Sequence, residues 1–414
     1  MKKSLLAVAA IGAFASAAQA QSSVTVYGIM DVGYQGVTTR GPLSSTNSAE
    51  TKTNITRFSG EGSESTSRLG FRGTEDLGGG ASAFFTAEFA LSPTDSTLSG
   101  NGGNGLANRQ TFVGLKKNGI GQGAIGTQYT PIHTAVSRTD PGMQNNMIGN
   151  AIYATNASQG SGQTTTAYTV RYNNSLTLAT DNIAGFTLNG IYVNNNQSNN
   201  NTINTGGTNT STTTAATAGL QVQNNSAWGL GINYVWKKLN VDAAYQTSKN
   251  TTWANGVQTA AAAPASAVAN TVNAPANVLG TSVGMVQQYY AAAYDFGILK
   301  AYAQYINSKT TSNLNENIYL ARTAQQIGVR SYVTPTIEVW ASGGMGKYTA
   351  GALNSFTATT NAAQNFTAYQ LGSNYYLSKR TNLYAIFGST QVTTSSQNIS
   401  EGASSYGVGV RHTF

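Results

Sequence analysis

Charged side chains recur at every second residue in several short segments whose alternate residues are apolar. In the run Ser67-Arg-Leu-Gly-Phe-Arg-Gly73, for example, two arginines alternate with a leucine and a phenylalanine. Residues two apart lie on one face of a β-strand, so each such segment predicts a strand with a polar face and an apolar face. By this criterion the charged residues of the polar face are Asp31, Arg68, Arg72, Glu88, Arg109, Arg171, Arg330 and Glu338.

Five of these eight residues are arginines. Arginine stays ionised, and its planar guanidinium binds carboxylate and phosphate groups. A further pair, Arg138 and Asp140, lies in a segment without alternation, Pro131 to Thr165, where we expect the two charges to cancel. The polar face therefore predicts an excess of positive charge that attracts small anions. A local ion pair or a loop anchor is the structural alternative for each arginine.

Catalytic chemistry finds little support in the sequence. The chain has no cysteine, which excludes disulfides and cysteine nucleophiles. Nothing near His133 or His412 is spaced as a catalytic triad. The run Gly78-Gly-Gly80 precedes no helix and no Lys-Ser/Thr pair, so it is not a phosphate-binding loop. We predict that the protein is not an enzyme and holds no cofactor or metal.

The carboxyl-terminal strand indicates which environment surrounds strands with one polar and one apolar face. Its small or charged residues occupy one face, and the other face ends the chain on an aromatic residue; that apolar face carries Tyr406, Val408, Val410, His412 and Phe414. In a transmembrane barrel the apolar face meets lipid and the polar face lines a wet lumen. Charged residues make up only 9% of the chain, against roughly 25% in soluble domains. These features predict an outer-membrane barrel.

About sixteen alternating segments lie between Gln21 and Phe414, each near the ~10 residues that one barrel crossing needs. They predict an all-β protein, a 16-stranded antiparallel transmembrane β-barrel closed by pairing of its first and last strands. Tight turns such as Lys237-Lys238 mark one end. Long polar tracts, Asn194 to Thr217 and Lys249 to Ser282, mark the other. Clustered tyrosines and tryptophans are predicted at the membrane interfaces, with a sugar-stacking track as the alternative.

Two face assignments follow from the same alternation. In the fourth strand, Asn108 to Lys116, Phe112 is predicted to point outward, and Arg109 and Thr111 inward. In the strand Ala167 to Leu178, Thr169 and Arg171 are predicted inward, and the residues predicted outward are Tyr168, Val170 and Tyr172.

The first twenty residues have the pattern of a secretion signal. Lys2 and Lys3 precede an apolar core, and Ala18-Gln19-Ala20 is a small-x-small cleavage site. We predict cleavage after Ala20, which divides the chain into a signal peptide, 1–20, and a barrel domain, 21–414. The mature chain would keep 21 basic and 15 acidic residues.

Four motifs together resemble the Gram-negative general porins, especially their β-proteobacterial branch: Val24-Thr-Val-Tyr-Gly-Ile29, the run Ser67 to Gly78, Leu377-Ser-Lys-Arg-Thr-Asn-Leu-Tyr384 and Gly409-Val-Arg-His-Thr-Phe414. The resemblance implies a homotrimer in the outer membrane, surrounded by lipid and lipopolysaccharide, that passes small hydrophilic solutes and anions. It further implies that the third long loop, Pro131 to Thr165, folds inward. Phe414 would be the signal read by the barrel assembly machinery.

The resemblance also suggests which residues form the pore constriction. The wall positions that match are Arg68 and Arg109, and Arg138 and Asp140 lie on the third loop. A further wall arginine of anion-selective members corresponds to Thr165 here. Arg171 would lie roughly 20 Å deeper by strand rise and is predicted only to line the pore.

We therefore predict a general diffusion porin with a preference for anions and no nucleic-acid partner. A porin specialised for one solute is the alternative within this class. From other classes, the Asn/Thr-rich tracts are also compatible with adhesive loops displayed by the barrel. A secreted β-solenoid would show repeats at a fixed period, and the sequence has none.

Overall fold

The structure is a computed structural model of the whole chain. It describes residues 23–44, 47–99, 105–155, 165, 167–195, 221–254, 257–258, 282–351, 363–394 and 399–414. The predicted signal peptide and most of both polar tracts lie outside these residues. Within the described residues, no helix is long and apolar enough to cross a membrane.

One antiparallel sheet contains all described strands. They are β1 Ser23–Ser44, β2 Asn47–Ser59, β3 Arg68–Gly78, β4 Ala81–Ala90, β5 Asn108–Lys117, β6 Gly121–Tyr129, β7 Arg171–Thr180, β8 Phe186–Asn195, β9 Gln221–Trp236, β10 Leu239–Ala254, β11 Val257–Gln258, β12 Val283–Asp295, β13 Lys300–Ser312, β14 Tyr319–Thr334, β15 Ile337–Ala350, β16 Ala363–Tyr376, β17 Thr381–Thr394 and β18 Ile399–Thr413.

The sheet closes into a barrel because β1 pairs on both edges. One edge pairs with β18, and the other pairs first with β3 and then with β2. β2 and β3 therefore count as one of the barrel's strand positions. β11 adds no position, because it pairs only with the end of β10. Sixteen barrel positions remain, which confirms the predicted 16-stranded antiparallel barrel. Closure leaves no strand edge unpaired in lipid.

The two faces of the wall differ as the alternation predicts. Tyr406, Val408 and Val410 of β18 are exposed on the outer surface, whereas Gly407 is buried. Phe414 continues the ladder through hydrogen bonds of 3.1 Å in both directions with the backbone of Gly28. A Cβ atom on Gly28 would lie 2.3 Å from the Phe414 ring, so a glycine is required where the last ring packs on the first strand.

The face predicted in β5 is wrong for two residues. Thr111 is exposed, and Phe112 lies on the inner face with its ring 6.2 Å from that of Phe84. Arg109 is nevertheless inward, as predicted, because the pairing of β4 with β5 shifts by one residue beside Glu88. Such a β-bulge changes the alternation by one position and has no signature in a short sequence.

The beginning of β7 also differs from the prediction. The strand begins at Arg171 and not at Ala167. Tyr168 and Val170, predicted on the lipid face, are buried in the largest apolar cluster of the interior. Tyr172 is buried as well, beside a second register shift between β6 and β7. Local alternation continues through this segment although the backbone has left the sheet.

The connection between β6 and β7 begins with one helix, α1 Pro131–Thr139. Thr130 caps it by accepting a hydrogen bond from the His133 amide, and a proline suits the first helical position. Ile132 and Val136 are fully buried, and α1 contacts β9, β10 and β12.

Beyond α1 the same connection lies against inward-facing glycines. A Cβ atom on Gly388 would lie 1.8 Å from the Ile148 carbonyl oxygen, and one on Gly344 would lie 2.5 Å from the Ala151 side chain. Two hydrogen bonds join this segment to β14 and β16: the Ala151 amide donates to the Gln326 side chain, and the Gln370 side chain donates to the Met147 carbonyl. The connection thus contacts the polar face of strands that are far apart around the barrel.

A second segment, 60–67, interrupts the sheet between β2 and β3. Most of its residues are buried. The Asp31 carboxylate accepts hydrogen bonds from the amides of Glu64 and Ser65 at 3.1 and 2.7 Å, and the Asn146 amide donates to the Gly62 carbonyl at 2.8 Å. This segment therefore packs on the connection that contains α1.

Candidate pore constriction

Arg109 and Glu88 form the buried centre of the site. Arg109 Nε donates to Glu88 Oε1 over 2.8 Å, and its Nη2 donates to the Tyr129 hydroxyl over 3.1 Å. Glu88 also accepts from the Tyr27 hydroxyl at 3.2 Å. Both charges are buried, a situation that is favourable only when the partners are well bonded.

Arg68 and Arg171 bring two more positive charges to the same place. Arg68 Nη1 lies 3.9 Å from Glu88 Oε1, and 21% of its side chain is exposed. The Arg171 guanidinium lies 5.1 Å from the centre of the Tyr129 ring, within the range of a cation–π contact. Arg68 and Arg109 thus lie within ion-pair distance of Glu88, and Arg109 and Arg171 contact Tyr129.

A cavity of about 280 Å³ is lined by all three arginines. Its remaining wall comes from the segment 60–67 and from the connection that contains α1. The residues that line it are Ser65, Thr66, Arg68, Arg109, Tyr129, His133, Thr134, Ser137, Met143, Gln144, Tyr153 and Arg171. The cavity therefore has a cationic wall on the barrel and a mostly neutral wall on the connecting segments.

Arg171 lies in this cluster, contrary to the predicted depth. The prediction counted strand residues from Ala167, whereas the strand begins at Arg171. Arg171 consequently lies at the start of β7, where it lines the cavity together with Arg68 and Arg109. Thr165 itself is buried and donates to the Ala154 carbonyl at 2.8 Å.

His133 completes the neutral wall. Its ring lies 4.4 Å from the Tyr129 ring, centre to centre, and its Nδ1 lies 3.2 Å from the Gln144 amide nitrogen and 3.3 Å from the Tyr168 hydroxyl. Burial lowers the pKa of His133 well below its usual value, and the charges of Arg171, Arg109 and Arg68 lower it further. A neutral imidazole is the form that accepts a hydrogen bond at Nδ1.

Arg138 and Asp140 do not cancel each other, which corrects the prediction. Arg138 Nε donates to the buried Asp242 of β10 at 3.1 Å. Asp140 accepts from Asn150 at 2.9 Å and from Gln326 at 3.2 Å. Neither residue lines the cavity. Asp242 was missed because an ion pair between residues 104 positions apart has no local signal.

The remaining predicted pore-lining charges are inward but separate from the cavity. Arg330 Nη1 donates to Glu338 at 3.1 Å, and its Nε donates to the Pro141 carbonyl at 3.0 Å. Asp31 accepts from the Tyr384 hydroxyl at 2.6 Å, and Arg72 lies over the Tyr27 ring at 5.3 Å. Arg330 and Glu338 neutralise each other, and Asp31 anchors the segment 60–67, which was the structural alternative, whereas Arg72 packs on a ring of β1.

Comparisons with known proteins agree with this geometry. The sequence profile described as Gram-negative porin matches residues 7–395. An outer membrane porin protein of Bordetella pertussis is 28% identical over the full length of both chains. Outer membrane porin protein 32 of Delftia acidovorans is 34% identical over 45% of this chain and 48% of its own.

Solved structures show the same fold. An anion-selective porin from Comamonas acidovorans superposes with a TM-score of 0.58 at 20% identity, covering 95% of this chain and all of that chain. The trimer form of OmpT of Vibrio cholerae gives a TM-score of 0.55 at 13% identity, covering 95% of this chain and 99% of its own. With its sixteen-position barrel and a family match over most of its length, the chain belongs to the Gram-negative porins, channel proteins of the outer membrane.

Proposed function

We propose that this porin is a general diffusion channel that prefers small anions, and that Arg68, Arg109 and Arg171 form its constriction. The observation that carries the proposal is the shared cavity, which all three guanidinium groups line, while a single carboxylate, Glu88, pairs with two of them from outside the lining. Fixed charge at the narrowest point sets the selectivity of a pore. An anion there meets a net positive wall and uncharged hydroxyl and amide groups opposite.

The segment that contains α1 is proposed as the constriction loop. Its contacts with Gly344 and Gly388, and its hydrogen bonds to β14 and β16, support a fixed position inside the barrel. We assign segment 60–67 a similar part, since Ser65 and Thr66 line the same cavity.

Export, assembly and oligomeric state belong to the same proposal. The signal peptide 1–20 would direct the chain through the inner membrane, and Phe414 would be read by the assembly machinery. A homotrimer in contact with lipid and lipopolysaccharide is supported by the trimer form of the Vibrio porin, and anion preference by the name of the Comamonas porin.

The reversal potential of the purified protein in a planar bilayer under a KCl gradient tests the proposal. We expect the chloride-to-potassium permeability ratio to fall in Arg68→Ala, Arg109→Ala and Arg171→Ala, by up to about fourfold per charge. A unit charge about 10 Å away in water-like surroundings changes the energy of an ion by about 0.4 kcal/mol. This is about twofold for each ion, in opposite directions for chloride and potassium. Arg72→Ala removes the same charge outside the cavity and should change the ratio less. A preference for cations in the wild type would refute the arginine constriction but would leave the assignment to the porin family unchanged.

A porin specialised for one anion is the second candidate, favoured by the closeness of Tyr129, Tyr153 and Met143 to the arginines in a cavity of about 280 Å³. Aromatic and thioether groups add apolar contact area for an organic anion. Saturable block of chloride conductance by one carboxylate, and not by others of equal charge, would identify this specialisation.

A further inference from the structure

Arg322, on β14, is a buried arginine with an incomplete set of partners. Only 4% of its surface is exposed. Its Nε donates to the Tyr348 hydroxyl at 3.1 Å, and its Nη2 donates to the Ala151 carbonyl. The third nitrogen, Nη1, is buried and has no hydrogen-bond partner. A guanidinium carries five N–H donors, and an unsatisfied buried donor is costly.

Arg322 also has no counter-ion among the described residues. Among the side chains that the structure describes, no carboxylate forms an ion pair with it. Asp140 lies nearby in the hydrogen-bond network, but its oxygens are bonded to Asn150, Gln326 and Gln144. An unpaired buried charge is costly. This arginine differs in that respect from Arg109, Arg138 and Arg330, each of which has an acidic partner.

Aromatic rings supply part of the missing stabilisation. The guanidinium lies 4.9 Å from the centre of the Phe366 ring and 5.6 Å from that of Tyr348, and cation–π contacts favour a positive charge there. Rings cannot neutralise the charge, and they leave the Nη1 donor unpaired. A negatively charged group at Nη1 would satisfy both requirements.

A small cavity adjoins Arg322. Its volume is about 20 Å³, enough for one particle the size of a water molecule. Arg322, Tyr348, Asn150, Thr155 and Thr390 are its polar lining residues. Because the Tyr348 oxygen accepts from Nε, its own hydroxyl hydrogen is available to a second acceptor. The cavity therefore offers a cation and a hydroxyl donor to one small acceptor.

We propose that this cavity is a binding site for one monatomic anion, chloride under physiological conditions. The small volume favours a monatomic anion over phosphate, sulfate and carboxylates, each of which has at least three heavy atoms. The site is separate from the proposed constriction, since the two cavities share no lining residue. The bound ion joins Asn150 and Thr155 of the connection between β6 and β7 that contains α1, the inner loop, to β14, β15 and β17, so that anchoring of this loop depends on chloride.

Anomalous diffraction from crystals of the full chain grown in NaBr tests the site directly. Bromide replaces chloride and scatters anomalously. We expect a peak within about 3.5 Å of Arg322 Nη1, a hydrogen-bonding distance for a large halide, and none in Arg322→Met. A water molecule at this position, with no anomalous signal in NaBr, would overturn the proposal.

Unfolding rates provide a second readout. The wild-type barrel should unfold more slowly in sodium chloride than in sodium gluconate at equal ionic strength, by about tenfold when chloride is ten times its Kd. Arg322→Met should unfold at similar rates in the two salts, and Arg72→Met, which removes an arginine that lines neither cavity, should keep the difference. Equal chloride dependence in the wild type and Arg322→Met would refute the site.

Discussion

Arg109 Nε lies 2.8 Å from Glu88 Oε1, although a regular ladder from Val113 would turn Arg109 toward lipid. Val113 and Leu115 are exposed on the outer face, and only the register shift beside Glu88 returns Arg109 to the interior. The bulge thus places a third guanidinium beside Arg68 and Arg171. Glu88 makes this possible, because it offsets one of the three charges.

Glu88→Gln should strengthen the anion preference. The amide keeps the shape of the side chain and one acceptor for Arg109 but removes the only carboxylate in ion-pair range of the arginine cluster among the described side chains. The chloride-to-potassium permeability ratio should rise by up to about fourfold, by the same Coulomb estimate for a unit charge about 10 Å from the ion path. Reversal potentials measure it.

Glu75→Gln is the matched control for this charge, since Glu75 is exposed near the turn between β3 and β4. It should leave the ratio almost unchanged. An equal rise in both variants would mean that net charge, and not the position of Glu88, sets selectivity.

Alternation predicted the barrel and most of its faces because lipid and lumen impose a period of two on every crossing. It failed where the backbone departs from that period. The register shift in β5 moved Thr111 and Phe112 to the opposite faces, and β7 begins four residues later than predicted, which places Arg171 at the cavity that Arg68 and Arg109 line. Each departure depends on contacts with neighbouring strands.

The position of the inner loop could not be predicted from residues that are close together in the sequence. Its position depends on pairs such as Asn145 with Gln370, 225 residues apart, and on glycines whose missing Cβ atoms leave room for its backbone. The loss of alternation in the sequence predicted the bounds of the loop, Pro131 to Thr165. It could not show that Arg138 pairs with Asp242 on β10.

Gly388→Ala should displace the inner loop. The added Cβ atom would lie 1.8 Å from the Ile148 carbonyl oxygen, so either the loop or β17 must move, at a cost of about 1–3 kcal/mol for overpacking. We expect faster thermal unfolding and an altered single-channel conductance.

Gly343→Ala is the control for Gly388→Ala, because nothing lies within 4 Å of its added Cβ. This variant should conduct and unfold like the wild type. Unchanged conductance in Gly388→Ala would show that the loop does not limit ion flow.

Phe414→Ala should lower the yield of closed barrel. The ring packs against Gly28, and the substitution removes both that contact and the aromatic terminus. We expect less heat-modifiable, folded protein on unboiled gels from outer membranes, while Phe414→Tyr, which retains a ring, should assemble nearly normally. Equal assembly of both variants would refute the role of the terminal ring.

His133 should make the folded channel sensitive to acid. Its folded-state pKa is lowered by burial, and then by Arg171, Arg109 and Arg68, so the folded state favours the neutral ring. Its contribution to stability is complete above the unfolded pKa of about 6.5 and declines by about 1.4 kcal/mol per pH unit below it, until the folded pKa is reached. Protonation would also remove the Nδ1 acceptor used by Gln144 or Tyr168.

Unfolding rates measured from pH 7.5 down to pH 4 should therefore rise more steeply in the wild type than in His133→Gln. His412→Gln, which changes the exposed histidine of β18, should retain the wild-type slope. Identical slopes in all three proteins would show that the acid sensitivity does not come from His133.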